Sequence, residues 1–268
     1  MPENYRYPDP GDRVTLSFIA RHEPFPGYWQ ASERRALDLV GELLAERLGP
    51  RAGTRALDAG CGDGRLLPWL AKYAADITAA DPDATRLDNA RGADLPPGTD
   101  IAFQQAPIAG VDGSGYDLVL CSHIVQHMPT GDIEAAVRHL HDITAPGGLL
   151  VLSHSRAAVG RGGYLLEWRE DGEIRYETVD RARFDQALTT GVRPGVLPVR
   201  LIDPQAFGKE VAAAGWAPCW EWTYHVLDDL GVLDSFVDRD DLVNGLPALR
   251  QNLGRDIFTV WRRDGGPV

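Results

Sequence analysis

A strand, a glycine-rich turn and a helix follow one another from residue 55, and this stretch constrains the fold more than any other. Residues 55–59 (Arg-Ala-Leu-Asp-Ala) are apolar enough to form a buried strand. The turn carries three glycines, which leave the backbone open to a ligand because glycine has no Cβ. They are Gly60, Gly62 and Gly64. Leucines at helical spacing over residues 65–73 then predict a helix whose start presents free backbone N–H groups.

The spacing of these glycines differs from the dinucleotide fingerprint G-x-G-x-x-G. Counted from Gly60, the position of the third glycine falls on Arg65. Asp58 precedes the turn and Asp63 lies within it, and these two carboxylates would repel a pyrophosphate. They suit a ligand that carries an ammonium or a sulfonium group, so the turn favours such a ligand over a nicotinamide dinucleotide.

Residues 57–64 read Leu-Asp-Ala-Gly-Cys-Gly-Asp-Gly and resemble the first motif of the class I S-adenosylmethionine-dependent methyltransferases. The resemblance covers roughly residues 33–155 and, more loosely, 203–262. It implies an α/β fold, a doubly wound Rossmann-like sheet that is mostly parallel with an antiparallel last strand, to which substrate-cap inserts are added. It also implies S-adenosylmethionine as the cofactor.

A second motif follows at residues 76–81, which predict a strand that ends in Asp81. A carboxylate at this position can accept hydrogen bonds from both ribose hydroxyls of a nucleoside, and Asp81-Pro82 resembles the family's second motif. After the third strand the family often has an acid that holds the adenine amino group, whereas this chain has Gln105 and Ala106. We therefore expect Gln105 or nearby backbone groups to contact adenine.

Ligands of such sheets bind outside the carboxyl ends of the parallel strands, so residues at these strand ends are candidates for the binding site. Residues 116–121 predict the fourth strand, and the segment after it borders the substrate in similar enzymes. An aromatic residue ahead of the first helix is expected to cover the cofactor, although core packing is the simpler role for it. The residues assigned to the cofactor are Asp58, Gly60, Cys61, Gly62, Gly64, Arg65, Asp81, Pro82, Gln105, Ala106, Ser122 and Tyr28.

Three histidines are the candidates for catalysis, because imidazole titrates near neutral pH and can take a proton from a hydroxyl or an ammonium group. His154 follows the fifth strand and is the first choice, and His123 follows the fourth and is the second. His127 matches a histidine common in the family pattern, where it serves either in catalysis or as a helix anchor. We expect no metal, since His123 and Gln126 stand where some relatives have metal-binding acids.

The chain is predicted to form a single domain over residues 1–268. Residues 1–50 would supply an N-terminal cap and helix, and residues 51–156 the cofactor-binding core. Two inserts, residues 157–200 and 227–255, would shape the acceptor site. The first insert contains a hairpin signal at Asp171-Gly172 and could instead form an interface between subunits.

Composition restricts the partners of the chain. The formal net charge of −12 argues against a nucleic-acid backbone and favours a small molecule. No apolar run approaches the length of a membrane span, and three sparse cysteines do not form a disulfide framework. We therefore predict a cytoplasmic protein that binds no membrane. The sequence leaves open whether it forms a homodimer.

The resemblance predicts an enzyme that transfers a methyl group from S-adenosylmethionine to oxygen or nitrogen of a small molecule. Two alternatives stay open. One is a protein that binds S-adenosylmethionine without methylating, or without catalysing any reaction. The other is a nicotinamide-dependent oxidoreductase, which the missing third glycine disfavours.

Overall fold

The structure is a computed structural model that describes residues 25–170, 173–193, 195–226 and 238–264. Three predictions concern residues outside these ranges. They are the part of the N-terminal cap before residue 25, the Asp171-Gly172 turn and the part of the second insert over residues 227–237.

A seven-stranded sheet forms the centre of the molecule, with strand order 3-2-1-4-5-10-9. Its strands are β1 (Arg55–Ala59), β2 (Asp76–Asp81), β3 (Asp100–Gln105), β4 (Tyr116–Ser122), β5 (Thr144–Ser155), β9 (Trp216–Tyr224) and β10 (Asp256–Arg263). The first five pair in parallel, and β10 is antiparallel to both β5 and β9. The predicted doubly wound, mostly parallel α/β sheet with an antiparallel last strand is confirmed.

Helices pack on both faces of this sheet and on the first insert. They are α1 (Tyr28–Arg47), α2 (Leu67–Leu70), α3 (Ala84–Ala90), α4 (Asp132–Ile143), α5 (Arg181–Thr190), α6 (Pro204–Ala213), α7 (Arg239–Gly245) and α8 (Pro247–Asn252). The predicted helix over residues 65–73 is wrong in extent, because α2 is a single turn over Leu67–Leu70. α5 was not predicted, although Asp180 caps it and its apolar residues have helical spacing.

The sheet has an apolar core on each face. On one face, Val40 and Leu44 of α1 pack with Leu118 of β4 and Phe258 of β10. On the other face, helices α4 and α6 pack against alternate residues of the same strands, such as Leu152. This alternation places the last polar side chains of β1, β4 and β5 on the α1 face. They are Asp58, Ser122, Ser153 and Ser155.

The first insert forms a three-stranded antiparallel sheet in the order β7-β6-β8, built from β6 (Gly163–Glu170), β7 (Glu173–Val179) and β8 (Leu197–Leu201). It joins the large sheet just past the carboxyl end of β5, where Ala157 N–H donates to the Ile202 carbonyl at 2.8 Å. The second insert contributes α7 and α8, and Arg156 donates to carbonyls of α8 at Arg250 and Gln251. Both inserts thus lie beside the carboxyl ends of the parallel strands.

Candidate functional site

The glycine turn has a backbone that other residues adopt only under strain. The φ angles are +88° at Gly60, +53° at Gly62 and +81° at Gly64. Backbone N–H groups of Gly60 and Cys61 donate to the Ala80 carbonyl of β2, which fixes the turn against the sheet. A Cβ on Gly60 would lie 2.4 Å from the Ile124 side chain. Glycine is therefore required here for both conformation and space.

Asp81 lies at the end of β2 and holds the glycine turn. Its buried carboxylate accepts backbone N–H groups from Gly62 and Asp83, each at 2.9 Å. A carboxylate has about four lone-pair positions, so this one can accept further hydrogen bonds from a ligand. Gln105 pairs with Asp81 across β2 and β3, and its side chain donates to the Pro82 carbonyl at 3.3 Å. The structure thus brings Asp81, Pro82 and Gln105 together, with Ala106 next in the chain.

Asp58 is 2% exposed at the end of β1, and its Oδ2 has no hydrogen-bond partner among the described residues. Burial first, and then the charge of Asp81, raise its pKa to about 7, while Arg65 acts in the opposite direction. Ser122 Oγ at the end of neighbouring β4 is likewise buried without a hydrogen-bond partner in the described part of the chain. Because buried polar atoms are normally hydrogen-bonded, these two mark a place for a polar ligand.

Arg65 and Cys61, which were also assigned to the cofactor, lie in or next to the glycine turn. Arg65 forms a two-fold hydrogen bond with Glu33 of α1, at 2.7 and 2.9 Å, and so ties the glycine turn to α1. Cys61 is buried, and burial raises the pKa of its thiol, which stays protonated.

Tyr28, expected over the cofactor, binds the second insert instead. Its hydroxyl donates to Asp240 and accepts the Val226 N–H at 2.6 Å. Ser32, one turn later in α1, also donates to Asp240 and accepts the His225 N–H. These contacts fasten the first turn of α1 to α7, and core packing is the observed role of Tyr28.

His123 lies at the centre of a polar cluster just after β4. Its Nε2 is 2.8 Å from the Tyr224 hydroxyl and 3.2 Å from Ser153 Oγ, and these two oxygens are 2.8 Å apart. Its φ of +56° is a strained conformation that a residue other than glycine rarely adopts. Burial lowers its pKa, so the imidazole is neutral at neutral pH.

A chain of hydrogen bonds continues from His123 to His225. Gln126 Nε2 is 3.3 Å from His123 Nδ1 and 3.2 Å from Ser155 Oγ, and Ser155 Oγ donates to Asp256 Oδ1 at 2.9 Å. Asp256 Oδ2 in turn lies 2.7 Å from His225 Nδ1. Burial alone would raise the pKa of Asp256, but the hydrogen bond from His225 and the nearby imidazoles hold it below its usual range.

Sequence reasoning missed five members of this cluster, namely Tyr224, Ser153, Gln126, Ser155 and Asp256. The antiparallel orientation of β10 could have identified one of them, Asp256. An antiparallel strand begins where its parallel neighbours end, so Asp256 at the start of β10 lies at the ligand-binding edge.

The structure does not bring His154 together with His123. Strand alternation places His154 on the sheet face opposite Ser153, where it is 1% exposed and its ring contacts Phe207 of α6 edge-on at 5.1 Å. His127 lies beside the first insert, and its Nδ1 is 2.9 Å from the Pro198 carbonyl. Burial lowers the pKa of each of these two histidines to about 4.

Neither a metal cluster nor a membrane span is found in the described ranges. No group of three or more histidine, cysteine, aspartate or glutamate side chains there is placed to hold a metal ion. The helices of those ranges are all too short or too polar to cross a bilayer. The absence of a catalytic metal stays a prediction.

Comparisons with known proteins show similarity in part of the sequence and in the fold. A ubiquinone biosynthesis O-methyltransferase of Chelativorans sp. is 29% identical over 169 residues, which cover 58% of this chain and 66% of that protein, just under two thirds of its length. The 1,6-didemethyltoxoflavin-N1-methyltransferase of Burkholderia thailandensis has a similar structure, with a TM-score of 0.52 at 15% identity, covering 97% of this chain and 91% of that one. The cyclase SpnF has a TM-score of 0.53 at 19% identity, covering 95% and 94%.

The match to a protein family decides the assignment. The family described as "Methyltransferase domain" matches residues 28–189, which is more than half of the 268 residues. This region contains the glycine turn, Asp58, Asp81 and His123. The chain belongs to the methyltransferase domain family.

Proposed function

We propose that the protein is an S-adenosylmethionine-dependent methyltransferase that methylates an oxygen atom of a small molecule. Membership in the methyltransferase domain family supports the reaction class. Oxygen as the acceptor is supported by the curated relatives, which are named ubiquinone biosynthesis O-methyltransferases. The acidic net charge of −12 supports a small molecule rather than a nucleic acid.

The residues present fit this cofactor. The Asp58 oxygen without a hydrogen-bond partner in the described ranges can accept from the cofactor's ammonium group, and Asp81 can accept from ribose hydroxyls. The glycine turn lets backbone approach the ligand closely because Gly60 and Gly62 have no Cβ. These residues lie at the carboxyl ends of adjacent strands β1 and β2. They would hold S-adenosylmethionine, which when bound supplies an electrophilic methyl group on a sulfonium centre.

The chain's own contribution to catalysis is to orient the acceptor, exclude water and hold a proton. Much of the rate of a methyl transfer comes from alignment of the reacting atoms. An acceptor hydroxyl must in addition lose its proton, and His123 is the base that we propose for it. It follows β4, is neutral, and borders the carboxyl edge at which Asp58 and Ser122 lie. His154 faces the other side of the sheet and is not retained as the base.

The buried oxygen of Asp58 beside the glycine turn is the observation that carries this proposal. The test is calorimetric titration of the protein with S-adenosylhomocysteine, for the parent and for Asp58→Asn. We expect the parent to bind at micromolar concentrations and the variant to bind more weakly. Absence of binding by the folded parent would refute the cofactor assignment.

A second candidate is a protein of this fold that binds S-adenosylmethionine without transferring the methyl group. The similarity to a structure named a cyclase favours keeping it. Incubation with methyl-labelled cofactor and a panel of phenols and catechols discriminates the two. Labelled product supports methyl transfer, whereas bound and unconverted cofactor across the panel supports the second candidate.

We also propose a homodimer in the cytoplasm. β7 is an outer strand of the three-stranded sheet, and its exposed edge can pair with a second copy. All three cysteines are free thiols, which suits a reducing compartment. Sedimentation velocity tests the dimer, which a single monomeric boundary at high concentration would refute.

A further inference from the structure

The hydrogen bonds around His123 have a direction that is determined at both ends of the chain. At one end, Ser155 N–H can only donate, and it points to Gln126 Oε1 at 2.7 Å. At the other, the ionised carboxylate of Asp256 can only accept, and it takes the proton of Ser155 Oγ at 2.9 Å. The amide of Gln126 therefore has one orientation, with its oxygen on the Ser155 N–H and its NH2 group turned away from it.

The NH2 group of Gln126 then has two neighbours, and it donates to both. One N–H points to Ser155 Oγ at 3.2 Å, whose own proton is committed to Asp256. The other points to His123 Nδ1 at 3.3 Å. An amide NH2 group has no lone pair to offer, so Nδ1 must accept and cannot carry the ring proton.

We propose that Gln126 is a positioning residue that holds His123 in the tautomer with the proton on Nε2 and the lone pair on Nδ1. This assignment agrees with the surroundings of Nε2. Its N–H donates to the Tyr224 and Ser153 hydroxyls at 2.8 and 3.2 Å, and both oxygens can accept. Every polar contact of the ring is satisfied in this tautomer, whereas the other would set an N–H of the ring against an N–H of Gln126.

The consequence for the reaction rests on the proposed function, in which His123 is the base. The O–H bond of the acceptor breaks, its proton bonds to Nδ1, and the electron pair stays on the acceptor oxygen. The imidazolium formed keeps its Nε2–H on the Tyr224 hydroxyl, which stabilises it. The contact that Nδ1 gives up is the longest of the chain, at 3.3 Å. Gln126 thus selects which ring nitrogen keeps its lone pair, and this nitrogen becomes available as the base when its contact with the Gln126 amide is released.

Nitrogen NMR of the protein with ¹⁵N-labelled histidine tests the tautomer directly, without acceptor or cofactor. The His123 signals are assigned by their loss in His123→Gln. We expect an unprotonated Nδ1 and a protonated Nε2 at neutral pH. In Gln126→Glu an oxygen replaces the NH2 group at nearly the same shape, so Nδ1 should become protonated. A protonated Nδ1 in the parent, or unchanged His123 signals in Gln126→Glu, would overturn the proposal.

Two measurements keep this test independent of folding and of the proposed function. His225 lies beyond Asp256 in the same chain of hydrogen bonds, so its signals report whether the fold is retained in each variant. If Gln126→Glu does not fold, Gln126→Met removes the NH2 group at similar side-chain length and should let both tautomers of His123 be populated. One unchanged tautomer there overturns the proposal. Failure of the parent to bind S-adenosylhomocysteine would refute the function while the NMR result stands.

Discussion

Asp58 and Asp81 place two buried carboxylates at the ends of adjacent parallel strands, and the charge of Asp81 adds to burial in raising the pKa of Asp58 to about 7. The two carboxylates are not equivalent. Asp81 accepts two backbone N–H groups of the surrounding turns, whereas Asp58 has an oxygen that no hydrogen bond from the described residues reaches. The first therefore holds the turn in place, and the second is available for a positively charged ligand.

Removal of the Asp81 carboxylate should weaken cofactor binding. We expect Asp81→Ala to bind S-adenosylhomocysteine more weakly by about 1 to 3 kcal/mol, because ligand hydroxyls lose their acceptor and Gly62 N–H loses its partner. Calorimetry measures this difference, with Asp88→Ala as the control since that carboxylate is largely exposed. Equal affinities of Asp81→Ala and the parent would show that the cofactor has been placed wrongly.

The pKa of Asp58 makes the stability of the cofactor-free protein depend on pH. In the unfolded chain this carboxyl titrates near 3.8, and in the folded protein near 7. Between these values the folded state keeps a proton that the unfolded state has released, so stability falls as pH rises from about 4 to about 7. Asp58→Asn removes this titration, and we expect it to be more stable than the parent at pH 8 by up to about 4 kcal/mol.

Urea unfolding at a series of pH values measures this effect. The difference between Asp58→Asn and the parent should shrink towards pH 4, where both side chains are neutral. Asp63→Asn is the matched control from the same turn, because its partly exposed carboxylate pairs with Arg86 and Asn89. A constant difference across the pH range would contradict the raised pKa of Asp58.

His123 and His154 should differ sharply in their effect on turnover. If His123 is the base, His123→Gln should lower the rate by about 10² to 10⁴-fold at saturating cofactor. It should also remove the acidic limb of the pH profile. His154→Gln should retain both the rate and the profile, because the His154 ring packs on Phe207 across the sheet. Retention of the parent profile by His123→Gln would mean that alignment of the acceptor suffices.

Gly60 should tolerate no side chain. Gly60→Ala puts a Cβ 2.4 Å from Ile124 and holds alanine at a φ of +88°, so we expect a loss of stability of about 1 to 3 kcal/mol and weaker cofactor binding. Gly53→Ala is the control, since nothing lies within 4 Å of a Cβ there. Thermal unfolding and calorimetry compare the two, and equal behaviour would contradict the role of the turn.

The structure of the proposed cofactor half of the site could be predicted because this half is local in sequence. Residues 55–59 and 76–81 form strands with the predicted bounds, and the glycines that follow residue 59 have the positive φ angles that a turn needs. Such segments carry their own signals, namely apolar runs, glycines and a terminal acid. The mostly parallel sheet with an antiparallel last strand followed from the family resemblance, and the structure confirms it.

The proposed catalytic half, the polar cluster around His123, could not be predicted, because its members are distant in sequence and common in type. Gln126, Ser155 and Asp256 belong to three different segments, and none stands in a motif of its own. They come together only because β5 and β10 pair in a register that places Ser155 opposite Asp256. The expected placement of His154 near His123 was wrong for a related reason. The position of a residue near the end of a strand predicts the sheet edge at which it lies. The sheet face that its side chain occupies depends on whether the residue is still part of the strand. β5 extends to Ser155, so His154 follows the alternation of the strand.

The attachment of α1 to the second insert has a consequence for the order in which the protein is made. Ser32 and its partner Asp240 are 208 residues apart in the chain. A ribosome adding about 5 to 20 residues per second needs roughly 10 to 40 s to cover that distance. During this time the first turn of α1 has been synthesised but its carboxylate partner has not. Tyr28 and Trp29, which are buried in the folded protein, are therefore exposed or bound by other proteins until the second insert has been synthesised.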